Sequence, residues 1–254
     1  MTVAVPVQLT TRAPGRSLAG YLVTPALLAA VLLALYTYVS SQTLDSVEER
    51  RVNLTFITEA TFQHVTLTVV STILVLLVAI PIGVLLTRPF ARSVTPAIVA
   101  VFNIGQAVPS IGVLVLFEIG WGIGFWPAVV ALVAYSALPV LRNTMIGLTQ
   151  VDAAVVESGR GMGMSKLGVL TVIELPLAVP VILTGLRTAL VINVGTATLG
   201  ALTNAGGLGG IIITGLVQNR PLVTVVGSVL TAVLALFVDY LGRVAEDVLR
   251  PKGL

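Results

Sequence analysis

ESGRGMGMSKLGVLTVIELP, residues 157–176, is a polar, glycine-punctuated island in a chain that is otherwise mostly apolar. It carries Glu157, Arg160, Lys166 and Glu174 within twenty residues. Before it, the apolar Pro139-Val140-Leu141 turns basic at Arg142; after it, Leu175-Pro176 opens another long apolar run. Upstream, Val151 to Val156 is mildly apolar and helix-capable. Asp152, followed by Ala153 and Ala154, suits a helix start because a carboxylate complements the positive end of the helix dipole. Gly159, Gly161 and Gly163 permit a sharp reversal. Met162, Met164 and Leu167 offer adaptable apolar knobs to a partner's groove. The island reads as a short helix held at both ends by long apolar segments, able to transmit a rigid-body push.

Composition says what surrounds it. Of 254 residues, 56% are hydrophobic and 10% charged, with mean hydropathy +1.05. Soluble domains carry about 25% charged residues, so this chain lacks the polar surface to face water and belongs with membrane proteins. The formal charge is +3, but the basic residues are scattered between apolar runs. They are topology determinants, with no nucleic-acid patch among them. There is no cysteine, which excludes disulfides and thiolate-bound metal. His64 is the single histidine; it reads as an outer-interface polar residue and leaves no histidine cluster for metal or catalysis.

Working outward, the chain divides into an all-α protein of about six transmembrane helices. Residues 1–20 form a cytosolic tail and 21–40 a first span. A cleaved signal peptide is the rival reading of that span, but the apolar run is longer than a signal core. Residues 41–63 form a charged linker outside, with a short amphipathic helix. The core, 64–242, holds five spans: Val65–Thr87, Val94–Phe117, Pro127–Leu141, Leu177–Leu202 and Pro221–Leu241. The loop 142–174 interrupts it and a tail, 243–254, ends it. Pro81 and Gly83 are breakers that neighbouring helices can accommodate, and Gln106-Ala107-Val108-Pro109-Ser110 is a polar break in the third span. Trp121, Phe125 and Trp126 sit in a glycine-rich connection of the interface type.

Counting Lys and Arg fixes the expected orientation. With the amino terminus inside, Arg12, Arg16, Arg88, Arg92, Arg142, Arg160, Lys166, Arg243, Arg250 and Lys252 lie in the cytosol, against Arg50, Arg51 and Arg220 outside. Ten against three is the bias expected for a multi-pass protein of a bacterial-type inner or plasma membrane. Both termini and the island are then cytosolic.

The island also matches a known pattern. The cytosolic loops of binding-protein-dependent ABC importer permeases carry E-A-A, three residues, Gly, nine residues, then I-x-L-P. Here Glu157 is followed by Gly163, then Met164 to Val172, then Ile173-Glu174-Leu175-Pro176, in the same spacing. Ser158-Gly159 replace the two alanines. Asp152-Ala153-Ala154 resembles the triplet more closely but would need glycine at Ser158. Further pieces, Gln106 to Ser110, Leu141-Arg142-Asn143-Thr144, Gly161 to Met164, Glu174 to Leu177 and Ala205-Gly206-Gly207-Leu208-Gly209, resemble the osmoprotectant branch. That branch imports glycine betaine, carnitine, choline or proline; another small solute, such as an amino acid, is the alternative.

The resemblance implies a type I, MetI-like bundle with a cytosolic coupling helix. It implies two cytosolic ATPase subunits gripping Asp152, Ala153, Ala154, Glu157, Ser158, Gly159, Gly161, Met162, Gly163, Met164 and Leu167. It further implies a second permease subunit, identical or related, and a substrate-binding protein outside. ATP and Mg would be used by the ATPase, with no cofactor held by this chain. Gly159 to Lys166 is not itself a phosphate loop, since Ser165 precedes the lysine and Leu167 follows it.

Candidates for lining a pathway are Gln106, Pro109, Ser110, Trp121, Arg187 and Asn193. Arg187 lies deep in an apolar run, where an unpaired cation costs roughly 2.5–3.5 kcal/mol. A structural salt bridge or carbonyl contact fits it better than substrate, and Asp239 is one available partner, although the two differ in expected depth. Trp121, Phe125, Trp126 and Tyr135 offer faces for a quaternary ammonium, but belt positions explain them more simply. An ion-coupled secondary transporter would show mid-membrane carboxylates and internal repeats. A membrane enzyme would need an acid–base constellation. Neither pattern is evident.

Overall fold

A backbone crossing hydrocarbon must satisfy its own polar groups, so long apolar runs become helices. The computed structural model describes residues 18–249; the expectations for 1–17 and 250–254, including Arg12, Arg16, Arg250 and Lys252, lie outside the described residues. Among the described residues every regular element is helical. In order they are α1 (Leu18–Ser40), α2 (Ser46–Val52), α3 (Leu54–Leu86), α4 (Thr95–Ala107), α5 (Ser110–Trp121), α6 (Phe125–Thr149), α7 (Ala153–Gly161), α8 (Lys166–Val169), α9 (Leu175–Ala197), α10 (Gly209–Val217) and α11 (Pro221–Leu249). A π-helical turn, Leu170–Glu174, joins α8 to α9. Five helical segments are long and apolar enough to cross a membrane, and six if the bent pair α4–α5 is one span.

The stretch read as a linker, 41–63, contains α2 and the first turns of α3. Asp45 starts α2 with a reciprocal cap: its Oδ1 accepts from the N–H groups of Val47 (2.8 Å) and Glu48 (2.9 Å), while Glu48 accepts from the Asp45 N–H at 3.1 Å. Asn53 caps α3 by accepting from the Phe56 N–H at 2.8 Å. At 33 residues α3 is about 50 Å long, well beyond the ~30 Å hydrocarbon core. Its polar first turns, with Glu59 and Gln63, therefore extend past the lipid tails.

The expected third span is not one rod. α4 and α5 meet at 100°, because Pro109 pushes Val108 into an extended conformation (ψ 136°) and cannot donate the bond that would continue the helix.

α6 is the central pillar, packed against α3 and α9, with α4 and α5 on another side. Val75 and Ala79 of α3, Ala137, Val140 and Leu141 of α6, and Ala189 of α9 form its buried contact. Small residues bring the backbones together, as lipid-embedded helices require: a Cβ on Gly185 would lie 2.9 Å from the Pro139 carbonyl oxygen. α6 runs on to Thr149, so Arg142, read as the start of the loop, is helical and donates to Asn103 of α4 at 2.8 Å. α1 rests against α11 and leaves most of its surface exposed.

Candidate functional site

The island folds as α7, α8 and the π turn. Asp152 caps α7, its Oδ1 accepting from the Ala154 N–H at 2.8 Å, and the Ser158 hydroxyl donates to the Ala154 carbonyl at 2.7 Å. α7 then closes through Met162 and reverses at Gly163, whose φ of +87° is open to glycine and costly for other residues. Ser165 starts α8 by accepting from the Gly168 N–H at 3.1 Å.

The glycines divide their work differently from the sequence reading. Gly163 alone makes the left-handed turn, while Gly159 and Gly161 are helical. Gly159 is buried for a packing reason: a Cβ there would meet Ile173 Cδ1 at 2.5 Å. α7 thus lies directly on the π turn, and a larger residue would lever it away. The opposite surface is free. Val155, Glu157 and Ser158 are exposed, and Met162 and Leu167 are 77% and 68% exposed. Met164 turns inward against Gly159. A capped helix is thereby presented with an open apolar-and-polar face and a firmly seated back.

The root of this unit is fastened by a pairing that sequence reasoning did not foresee. Arg88, just past α3, donates through Nη2 to Glu174 at 2.6 Å and through Nε to the Val84 carbonyl at 3.2 Å. Glu174 occupies the variable position of the I-x-L-P signature, the one signal that pointed to it.

The pathway candidates are dispersed. Gln106, Pro109 and Ser110 stand together at the α4–α5 bend, and Trp121 is 67% exposed at the end of α5. Asn193 is fully buried, donating to Thr72 of α3 at 3.0 Å. Arg187 does pair with Asp239, at 2.5 Å. Asp239 also receives the Arg243 guanidinium, with Nε at 3.0 Å, and Glu246 stands 3.7 Å from Arg187. The expected difference in depth vanishes because α9 and α11 pack side by side. Two carboxylates thus face two guanidinium groups, which neutralises the cluster.

His64, expected as an outer-interface polar residue, is turned into the bundle. It is fully buried, with Nε2 2.9 Å from the Val194 carbonyl and the Leu208 N–H donating to Nδ1 at 3.3 Å. Gln63 beside it accepts from the Gly207 N–H at 3.0 Å. α3 therefore holds the turn Ala205 to Gly210, whose glycines allow this close approach: a Cβ on Gly207 would lie 3.0 Å from His64 Nδ1.

Residues 79–250 match the family model described as the binding-protein-dependent transport system inner membrane component. The chain belongs to this family. It is a multi-pass permease component of the ABC importer class, a protein of the inner membrane. The permease is 41% identical over 194 residues to the choline transport system permease protein OpuBB of Bacillus subtilis, covering 76% of this chain and 88% of that one. It is 39% identical over 211 residues to the osmoprotectant import permease protein OsmY of Salmonella typhimurium, covering 83% and 88%. The fold matches a chain of the MetNI methionine ABC transporter in inward-facing form, with TM-score 0.68 and 24% identity over 77% of this permease and 96% of that chain. The MetI-like architecture expected from the loop signature is therefore the observed one.

Proposed function

We propose that the permease forms half of a transmembrane pathway that admits a small osmoprotectant such as glycine betaine, choline, carnitine or proline. The cargo class rests on resemblance to relatives whose names carry it. A second permease subunit, identical or related, completes the pathway, and a substrate-binding protein delivers cargo from outside. Two ATPase subunits, using ATP and Mg, grip α7 from the cytosol, and both termini lie on that side. ATP hydrolysis belongs to those subunits.

One observation carries the coupling role: α7 projects with an exposed face while its back is locked to the π turn and, through Glu174, to Arg88. A push on α7 has no soft joint at Gly159 in which to dissipate. It passes to α9, which packs along the central α6.

The test is uptake in proteoliposomes containing both permease subunits, ATPase and binding protein. Wild-type vesicles take up a radiolabelled quaternary ammonium or proline only with ATP, and the chain alone takes up none. A Gly163→Pro variant inserts normally but loses ATP-driven uptake. Normal uptake by that variant, or uphill transport by the isolated chain, would overturn the coupling reading. A cysteine at Ser165 is labelled only from the cytosolic side; labelling from outside overturns the topology.

A further inference from the structure

Beside α7 is a cleft that shares only Arg88 and Leu167 with the residues assigned above to gripping and anchoring the coupling unit. It has a volume of about 470 Å³ and lies between the α3–α4 turn and the start of α8, lined by Arg88, Pro89, Arg160, Lys166, Leu167 and Leu170. Its wall combines three cations with three apolar side chains. Arg88 is committed to Glu174 and the Val84 carbonyl. Arg160 and Lys166 form no ion pair among the described residues. The cleft therefore holds two uncompensated positive charges.

Its height in the membrane narrows the choice of ligand. Arg88 follows directly on the end of the span Leu54–Leu86, and Leu170 lies in the first turns of the span Lys166–Thr203. The cleft thus lies where two membrane-length helices end, the level proposed here for the lipid headgroups. Phe90, next to Pro89, is 75% exposed, an apolar side chain placed to enter that boundary. Basic pockets between spans on the cytosolic side are suited to anionic headgroups. An acidic protein segment would satisfy the cations but leave the leucines without an apolar partner.

We infer that this cleft binds the headgroup of an anionic phospholipid from the cytosolic leaflet. Arg160 and Lys166 engage the phosphate, and Leu167 and Leu170 contact the glycerol and the upper acyl chain. The inference rests on the cytosolic placement of α7 proposed above. Because Arg160 ends α7 and Lys166 opens α8, an occupied site ties the coupling unit to the bilayer, and membrane composition sets how freely α7 moves.

The experiment is lipid binding by the full-length, delipidated protein, followed by native mass spectrometry with phosphatidylglycerol or phosphatidylcholine. Phosphatidylglycerol is retained in preference, and Arg160→Gln/Lys166→Gln binds it about thirtyfold more weakly, near fivefold for each charge. The exchange Arg160→Lys/Lys166→Arg keeps the charges and retains binding, and the lipid-free melting temperature shows that each variant is folded. Equal affinity of the Gln pair and wild type overturns the site, as does equal retention of the two lipids. Displacement by glycerol 1-phosphate reassigns the cleft to soluble phosphates, and displacement by polyglutamate reassigns it to an acidic protein; either overturns the lipid assignment. Labelling of Ser165→Cys from outside would refute the cytosolic placement alone, leaving the headgroup measurement intact, so the two failures are separable.

Discussion

Arg88 and Glu174, 86 positions apart, meet at 2.6 Å and join the end of α3 to the root of α9. The Glu174 side chain is only 9% exposed and Arg88 25%, so solvent screens the pair weakly. The pair sits at the π turn, where i→i+5 bonding places an extra residue in the helix, a feature common at functional positions. Whatever moves α7 must move this pair or break it.

Glu174→Gln leaves the Arg88 cation half-buried without its counter-charge. The expected loss is about 2 kcal/mol, less than for a fully buried pair because Arg88 keeps some water. Thermal unfolding in detergent measures it, and Arg88→Gln added to Glu174→Gln costs less than the two single changes summed. Additive losses would show that the contact contributes nothing of its own.

Asp239 joins α9 to α11 by receiving both Arg187 and Arg243. Asp239→Asn strands Arg243 and leaves Arg187 only the more distant Glu246; it is expected to cost about 2 kcal/mol, with lower yield of inserted protein. Combining it with Arg187→Gln recovers part of the loss. A wild-type melting temperature for the single variant would rule out a structural role.

The turn Ala205 to Gly210 provides a matched pair of substitutions. A Cβ at Gly209 would lie 1.8 Å from the Thr198 carbonyl oxygen, whereas Gly210 has nothing within 4 Å. Gly209→Ala should cost about 3 kcal/mol because backbone has to shift. Gly210→Ala should be neutral or slightly stabilising, since alanine favours a helix. Comparable melting temperatures for the two would mean that the turn is not packed as described.

On α7, Gly159→Val must displace Ile173, while Gly161→Ala enters open space. The first is expected to lower ATP-driven uptake severalfold with little change in inserted protein, and the second, which displaces no neighbour within the chain, to have a smaller effect on uptake. Uptake assays on reconstituted complex, normalised to inserted protein, decide between them.

At the opposite end, the Asp45 carboxyl is held below its ordinary range by the Glu48 N–H, with help from the Val47 N–H and the Arg220 charge, against a desolvation penalty. A depressed carboxyl stabilises above its unfolded value of about 3.9, and that contribution is lost as pH falls through the lower folded value. Amide exchange protection of α2 should therefore decline on acidification below about pH 4, and Asp45→Asn should abolish that pH dependence. An unchanged profile in the variant would assign the acid response to another group.

Much of the architecture was readable along the chain because its signals are local. Apolar length marks the spans, and the capping carboxylate of Asp152 acts on an amide two residues away. The residues from Val151 onward announced a short helix and a reversal over Gly159, Gly161 and Gly163, of which the structure uses Gly163 alone for the turn. The polar break at Val108-Pro109 was visible too, but not its 100° angle, which depends on what α4 and α5 pack against.

Most relationships set by side-by-side packing remained hidden, and the pairing of Arg187 with Asp239 was only one open candidate. Sequence alone determined that this chain is an α-helical membrane protein with a glycine-hinged loop, because hydrophobicity, capping and backbone freedom belong to individual residues and their neighbours. Only the tertiary structure decided that His64 is buried against Val194 and Leu208, that Gly159 makes room for Ile173, and that Arg88 finds Glu174 while Arg187 finds Asp239. Those pairings depend on the rotation and depth of neighbouring helices, which the packing of small residues sets and hydropathy does not encode.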